Sequence, residues 1–133
     1  MAKTALVTGA SSGIGREIAR DLSARGFRVI LSARREERLR ELAEELGDNT
    51  RVVVCDVSDR EECLRLYEET KSEKISVLVN CAGFGAVGSF DKLPLDTELK
   101  MIDTNVTAVH MLTKLFLKDF VAADRGYICL LYT

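Results

Sequence analysis

The chain has 133 residues, 47% of them hydrophobic, and its 19 Lys and Arg against 21 Asp and Glu leave a net charge of -2. This composition describes a single globular domain with enough apolar residues for a core, and it excludes a nucleic-acid binder because cations and acids are interspersed instead of gathered on one basic face. No segment approaches the roughly 18 consecutive apolar residues of a membrane span, and the start Met1-Ala2-Lys3-Thr4 leads into too short an apolar run for a secretory signal, so the expected location is cytoplasmic.

Short β-rich runs at residues 4–8, 29–32, 52–55, 77–80 and 127–131 alternate with helical patterns, as the βαβ units of a parallel sheet require. The first run passes into Thr8-Gly9-Ala10-Ser11-Ser12-Gly13-Ile14-Gly15. A strand that ends in glycines and becomes a helix brings backbone N–H groups and a positive helix end to a point where a phosphate can sit. Gly9 permits the turn off the strand. Gly13 and Gly15 remove side chains where backbone approaches a pyrophosphate and where helix packs close to strand. Arg16-Glu17-Ile18 follows, without the Lys-Ser or Lys-Thr pair with which a P-loop holds a triphosphate and magnesium, and that leaves a dinucleotide. Ile14, Ile18 and Leu22 recur every four residues and are expected to face the sheet, with Gly26 ending the helix.

The second run continues into Ala33-Arg34-Arg35. Sites that prefer NAD place an acid about twenty residues beyond the glycines to hold the ribose diol. Here the acid is missing and a guanidinium is present. Arg34, with Arg35 as helper, can form paired hydrogen bonds to a 2′-phosphate that an aspartate would repel. NADP(H) is the expected cofactor, with NAD(H) as the alternative. Leu39, Leu42 and Leu46 then form another inward stripe, ended by Gly47.

The third run leads to Asp56-Val57, and Ser58-Asp59-Arg60-Glu61 has the form of a capping box opening the next helix. That helix contains Tyr67-Glu68-Glu69-Thr70-Lys71, a Tyr-x-x-x-Lys spacing read here as an amphipathic helix end. The fourth run leads to Asn80-Cys81-Ala82-Gly83. A long helix over 96–123 carries apolar residues on more than one face, so one sheet cannot cover it. It implies a second packing partner, either another copy in a homo-oligomer or a helix outside this chain. Cys55, Cys63, Cys81 and Cys129 form no Cys-x-x-Cys pair, and His110 stands alone, so no metal site is expected. Cys55, Cys81 and Cys129 read as small buried hydrophobes, and His110 as a surface or packing residue.

The glycine loop, Asp56-Val57, Asn80-Cys81-Ala82-Gly83 and Asn105 together resemble the short-chain dehydrogenase/reductase family, from Lys3 to about Ile128. The resemblance implies an α/β fold: a Rossmann-type doubly wound parallel sheet of five strands, order 3-2-1-4-5, with helices on both faces. It implies one domain over 1–133, truncated after the fifth strand. Ser11, Ser12 and Ile14 would join the glycines at the cofactor, Asp56 and Val57 would meet the adenine, and Asn80, Ala82 and Gly83 would border the dinucleotide, Asn80 also stabilising the central sheet. The second asparagine common beside Asn80 is Cys81 here. Asn105 corresponds to a helix asparagine whose main chain holds a water in the proton relay.

The family transfers hydride between a nicotinamide and the carbon of a small-molecule carbonyl or alcohol. A Tyr acts as general acid or base, a Lys four residues later lowers its pKa, and a Ser orients the carbonyl. Aligning Gly126-Tyr127-Ile128 with the family's fifth strand places Leu130 where Asn is common and Thr133 at the Ser position, and no Tyr-x-x-x-Lys follows. Two readings stand: the cofactor half of an NADP(H)-dependent oxidoreductase, or a non-catalytic nucleotide-binding fragment or interaction module.

Overall fold

A computed structural model describes residues 3–131. Five strands, β1 (Thr4–Thr8), β2 (Arg28–Ala33), β3 (Thr50–Val54), β4 (Ile75–Asn80) and β5 (Tyr127–Leu130), form one parallel sheet in the order β3-β2-β1-β4-β5. This is the expected topology. β3 and β4 each begin two residues before the expected start, because Thr50 and Arg51 already pair with Val29 and Ile30, and Ile75 with Thr4. Arg51 sits in a strand without burying its charge. Its guanidinium donates to the Glu69 carbonyl at 3.1 Å and pairs with the Glu73 carboxylate.

Successive strand residues face opposite sides, so both faces need a cover. Leu6, Ile30, Val53 and Leu78 pack with α3 (Arg60–Thr70) and α5 (Ala108–Ala123), whose Leu66, Ala108, Leu112, Phe116 and Phe120 fill that core. Val7, Val29, Leu31 and Val79 pack with α1 (Gly13–Ala24) and α2 (Glu36–Leu46) through Ala19, Leu39 and Leu42. Gly26 and Gly47 end α1 and α2 with φ of +89° and +92°, as expected of helix stops.

Four local expectations need correction. Ile14 leaves the inward stripe of α1 and is 54% exposed, because it lines an open cleft at the first turn; Gly15 and Ala19 are the buried positions. Ser58 does not cap α3. The cap is Asp59, whose carboxylate accepts from Glu61 N–H at 2.9 Å, while Ser58 is drawn to Asp56. The long helix is three pieces: α4 (Leu95–Ile102), a π turn over Asp103–Thr107, and α5. Among the cysteines, Cys55 and Cys63 are buried and Cys81 half-buried, but Cys129 is exposed because β5 is the edge strand of the sheet described here.

The remaining features follow the sequence reading. On α4 and α5, Leu95, Leu99, Ile102, Leu117 and Val121 are exposed, as is Val106 in the π turn, so an apolar surface stays uncovered. His110 is exposed as well. Tyr67 donates its hydroxyl to Asp119 at 2.8 Å and meets the Phe116 ring edge-on at 5.0 Å, while the Lys71 ammonium lies 5.7 Å from the Tyr67 ring centre. Tyr67 therefore fastens α3 to α5, and Lys71 lies over its ring. Thr133, the expected catalytic hydroxyl, lies outside the described residues.

Candidate functional site

The chain leaves β1 toward β2 and β3, then returns to place β4 on the other side of β1. Ligands of open α/β sheets bind at such a reversal, beyond the carboxyl ends of the strands. Thr8 joins the two sides. Its hydroxyl donates to the Val79 carbonyl at 3.3 Å and accepts from the N–H groups of Cys81 and Ala82 at 3.2 and 3.3 Å. Thr8 was not singled out in the sequence, where it reads as an ordinary strand residue.

The glycines divide their tasks. Gly9 has φ +65°, and a Cβ there would fall 2.7 Å from Cys81 and Ala82 backbone atoms, so strands β1 and β4 approach only over a bare α-carbon. A Cβ on Gly15 would collide with the Gly9 carbonyl oxygen. Gly13 has φ +58° with open space on its Cβ side, so its contribution is conformational. Ser12, the N-cap of α1, makes no side-chain cap bond, and no acid lies in the first turn. The opening N–H groups of the helix thus face the cleft without a side-chain acceptor.

Beyond β1 lies a cleft of about 400 Å³. Every cofactor residue expected from the sequence lines it except Asn80, which is buried beneath, with its amide donating to Thr113 on α5 at 3.3 Å. Arg35 turns back over the glycine loop, donating to Ser11 and Ser12 hydroxyls at 3.2 and 3.0 Å. Asp56 is held at the opposite wall: one carboxylate oxygen accepts from the Ser58 N–H at 3.0 Å and hydroxyl at 2.7 Å, and the other lies 4.0 Å from the Lys100 ammonium. Partial burial works to raise the Asp56 carboxyl, but the two Ser58 bonds and the charges of Lys100 and Arg34 outweigh it and hold it below the usual carboxylate range.

Asn105 does not line the cleft. It belongs to the π turn and locks onto Phe84, accepting from its N–H at 3.0 Å and donating to its carbonyl at 2.8 Å. A Cβ on Gly83 would come within 2.9 Å of the Asn105 oxygen, so this glycine makes the approach feasible. Ser32, Ala33, Cys55, Cys81, Phe84, Thr104 and Leu131 complete the wall and were missed as site residues in the sequence. Phe84 and Thr104 have no motif signal, but Ser32 directly precedes Ala33-Arg34 and was open to notice.

A family model described as short chain dehydrogenase matches residues 3–131. The chain belongs to this short-chain dehydrogenase family. It is 36% identical over 126 residues to a 3-oxoacyl-[acyl-carrier-protein] reductase of Rickettsia prowazekii, covering 95% of this chain and 52% of the relative. Among solved structures, a short-chain dehydrogenase from Sphingobium yanoikuyae in complex with NADPH superposes with a TM-score of 0.90 at 30% identity, covering 95% of this chain and 51% of that one. A metagenomic short-chain oxidoreductase in complex with NADP gives a TM-score of 0.89 at 34% identity, covering 95% and 59%. The chain spans about half the length of the curated relatives it matches.

In this short-chain dehydrogenase chain, the described cleft lining contains no Tyr, Lys or His. Its thiols are poor nucleophiles: burial pushes Cys55 up to about 12 and Cys81 up to about 11, so both stay protonated near neutral pH. The arrangement is equipped to hold anionic and hydrogen-bonding ligand groups. Among the described residues, no helix is long and apolar enough to cross a membrane.

Proposed function

We propose that the cleft binds NADP(H) and that this chain forms the cofactor-holding part of a short-chain oxidoreductase. One observation carries the reading: the glycine loop, Arg34 and Arg35, Asp56 and Val57, and Ala82 and Gly83 all line a single cleft at the strand reversal. The uncapped start of α1 suits a pyrophosphate. Arg34 lines the cleft where an acid would favour NAD, and Arg35 adds charge beside the loop. When bound, the dinucleotide supplies or accepts a hydride. This chain's residues bind and orient it, with Asp56 kept as a carboxylate that accepts from the adenine amino group.

The substrate in this reading is a small-molecule carbonyl or alcohol, and the protein acts in the cytosol, as its unpaired cysteines favour. The uncovered apolar surface of α4 and α5 supports a homo-oligomer through that helix. Asn105 is a positioning residue in the proton relay through the main chain of its π turn. A second reading, binding without turnover by these 133 residues, is favoured by the lack of Tyr, Lys or His in the described cleft lining. Fluorescence titration tests the first element. The proposal expects NADPH to bind at least tenfold tighter than NADH, and equal affinities would overturn the cofactor preference.

A further inference from the structure

The hydroxyl of Ser32 is buried in the wall of the cleft and has no hydrogen-bond partner. In the sheet register, Ser32 stands between Thr8 of β1 and Val53 of β3, and Thr8 in turn stands beside Asn80 of β4. These positions put Ser32, Thr8 and Asn80 in one polar row near the carboxyl edge of the sheet. The other two are satisfied: Thr8 makes three hydrogen bonds and Asn80 donates to Thr113. The main chain around Ser32 is satisfied too, its carbonyl accepting from Ala10 N–H at 3.1 Å and that of Ala33 from Cys55 N–H at 2.9 Å. Among the described residues the one other unpaired buried side-chain atom is Arg16 Nε, and Arg16 does not line this cleft.

Buried hydroxyls are nearly always paired, because an unmade bond leaves the desolvation of the group uncompensated. A hydroxyl left unmet in the wall of a ligand cleft points to a partner that arrives with the ligand. The cleft residues beside it, Ala33 and Arg34 on one strand end and Cys55, Asp56 and Val57 beyond the next, lie across from the glycine loop. That is the adenosine side of the dinucleotide site, on which reading this inference rests.

We propose that Ser32 is a hydrogen-bonding contact for the adenosine half of the dinucleotide, serving the ribose at a strand end that lacks an acid. A serine hydroxyl both donates and accepts. It therefore suits a ribose hydroxyl or a 2′-phosphate oxygen, whereas a carboxylate would repel the phosphate. Its single side-chain torsion has three staggered positions among which the hydroxyl can turn.

The test is titration of the 133-residue chain, Ser32→Ala and Ser32→Cys with NADPH and with 2′,5′-ADP, which carries the adenosine half alone, alongside thermal melts without nucleotide. Both variants are expected to weaken both ligands about 3- to 10-fold, the worth of one hydrogen bond. Their melting temperatures without nucleotide are expected to equal or exceed that of the unaltered chain, because the removed hydroxyl had no partner. Unchanged affinity in either variant, or a loss for NADPH that 2′,5′-ADP does not share, overturns the role of Ser32 and leaves the cofactor site standing. Failure of the unaltered chain to bind either ligand overturns the site reading and the role of Ser32 with it.

Discussion

Asn105 and Phe84 hold each other by two hydrogen bonds, side-chain amide to main-chain N–H and carbonyl, across 21 positions of sequence. The pair ties the segment after β4 to the π turn between α4 and α5. Asn105→Ala removes both bonds and leaves the Phe84 backbone groups to water. Because the site is exposed, the expected loss of stability is about 1 kcal/mol, read by chemical denaturation. Amide exchange at Phe84 is expected to accelerate; unchanged exchange would argue against the tie.

Gly9 and Gly13 both have positive φ but differ in surroundings. Gly9→Ala combines backbone strain with a clash against Cys81 and Ala82, and about 2–5 kcal/mol is expected to be lost. Gly13→Ala meets nothing in the free chain and is expected to cost about 1–2 kcal/mol. Its new methyl nevertheless stands at the cleft, so NADPH binding is expected to fall in a chain that still melts cooperatively. Calorimetry of both variants, with and without NADPH, separates the two effects.

Arg34 and Arg35 are adjacent but face different parts of the cleft, Arg35 being engaged with the hydroxyls of Ser11 and Ser12. Arg34→Ala is expected to weaken NADPH about 10- to 100-fold, the range for a charged hydrogen-bonded pair, with NADH held within about threefold. Arg35→Ala is expected to weaken both cofactors alike, because the loop it braces serves the shared pyrophosphate. A loss confined to NADPH in Arg35→Ala would instead place Arg35 beside Arg34 as a helper at the 2′-phosphate.

Asp56 carries a pH signature. Its carboxyl is depressed in the fold, so the folded chain takes up this proton less readily than the unfolded chain. The resulting stabilisation is complete above about pH 5, where an unfolded aspartate is almost fully ionised, and fades as pH falls through the lower folded value. Thermal midpoints of the unaltered chain and Asp56→Asn should therefore differ most at pH 7 and converge below pH 4. A constant difference down to pH 3 would show that the carboxylate charge contributes nothing.

Cys129 is exposed while Cys55 and Cys63 are buried and Cys81 is half-buried with its thiol pushed up to about 11. A thiol reagent at pH 8 is expected to modify Cys129 first, with the others following on unfolding. Mass spectrometry of a timed reaction checks the order, and early modification of Cys63 would contradict the packing of α3.

The sheet and the loop were legible because their signals are local. Strand alternation, glycine spacing and the residues after each strand identify the carboxyl edge, and the cleft forms where they converge. The misses concern partners distant in sequence. Ser58 satisfies the form of a capping box, but its hydroxyl is taken by Asp56, leaving Asp59 to cap the helix. Ile14 fits a four-residue period, yet periodicity cannot report that the first turn of α1 lines an open cleft. Asn80 is no miss: it lies buried beneath the cleft with its amide on Thr113, as suits a residue expected to stabilise the sheet beside the cofactor.

The π turn over Asp103–Thr107 holds one residue more than an α-helix would use for the same advance. Each residue rotates a helix by about 100°, so the turn acts as a phase shifter between α4 and α5. Downstream of it, Ala108, Leu112, Phe116 and Phe120 keep their place in the core. Upstream, Leu95, Leu99 and Ile102 are dialled to another azimuth. Without that extra residue's slack, the sequence periods of the two flanks read as one continuous α-helix would fall out of step by about 100°.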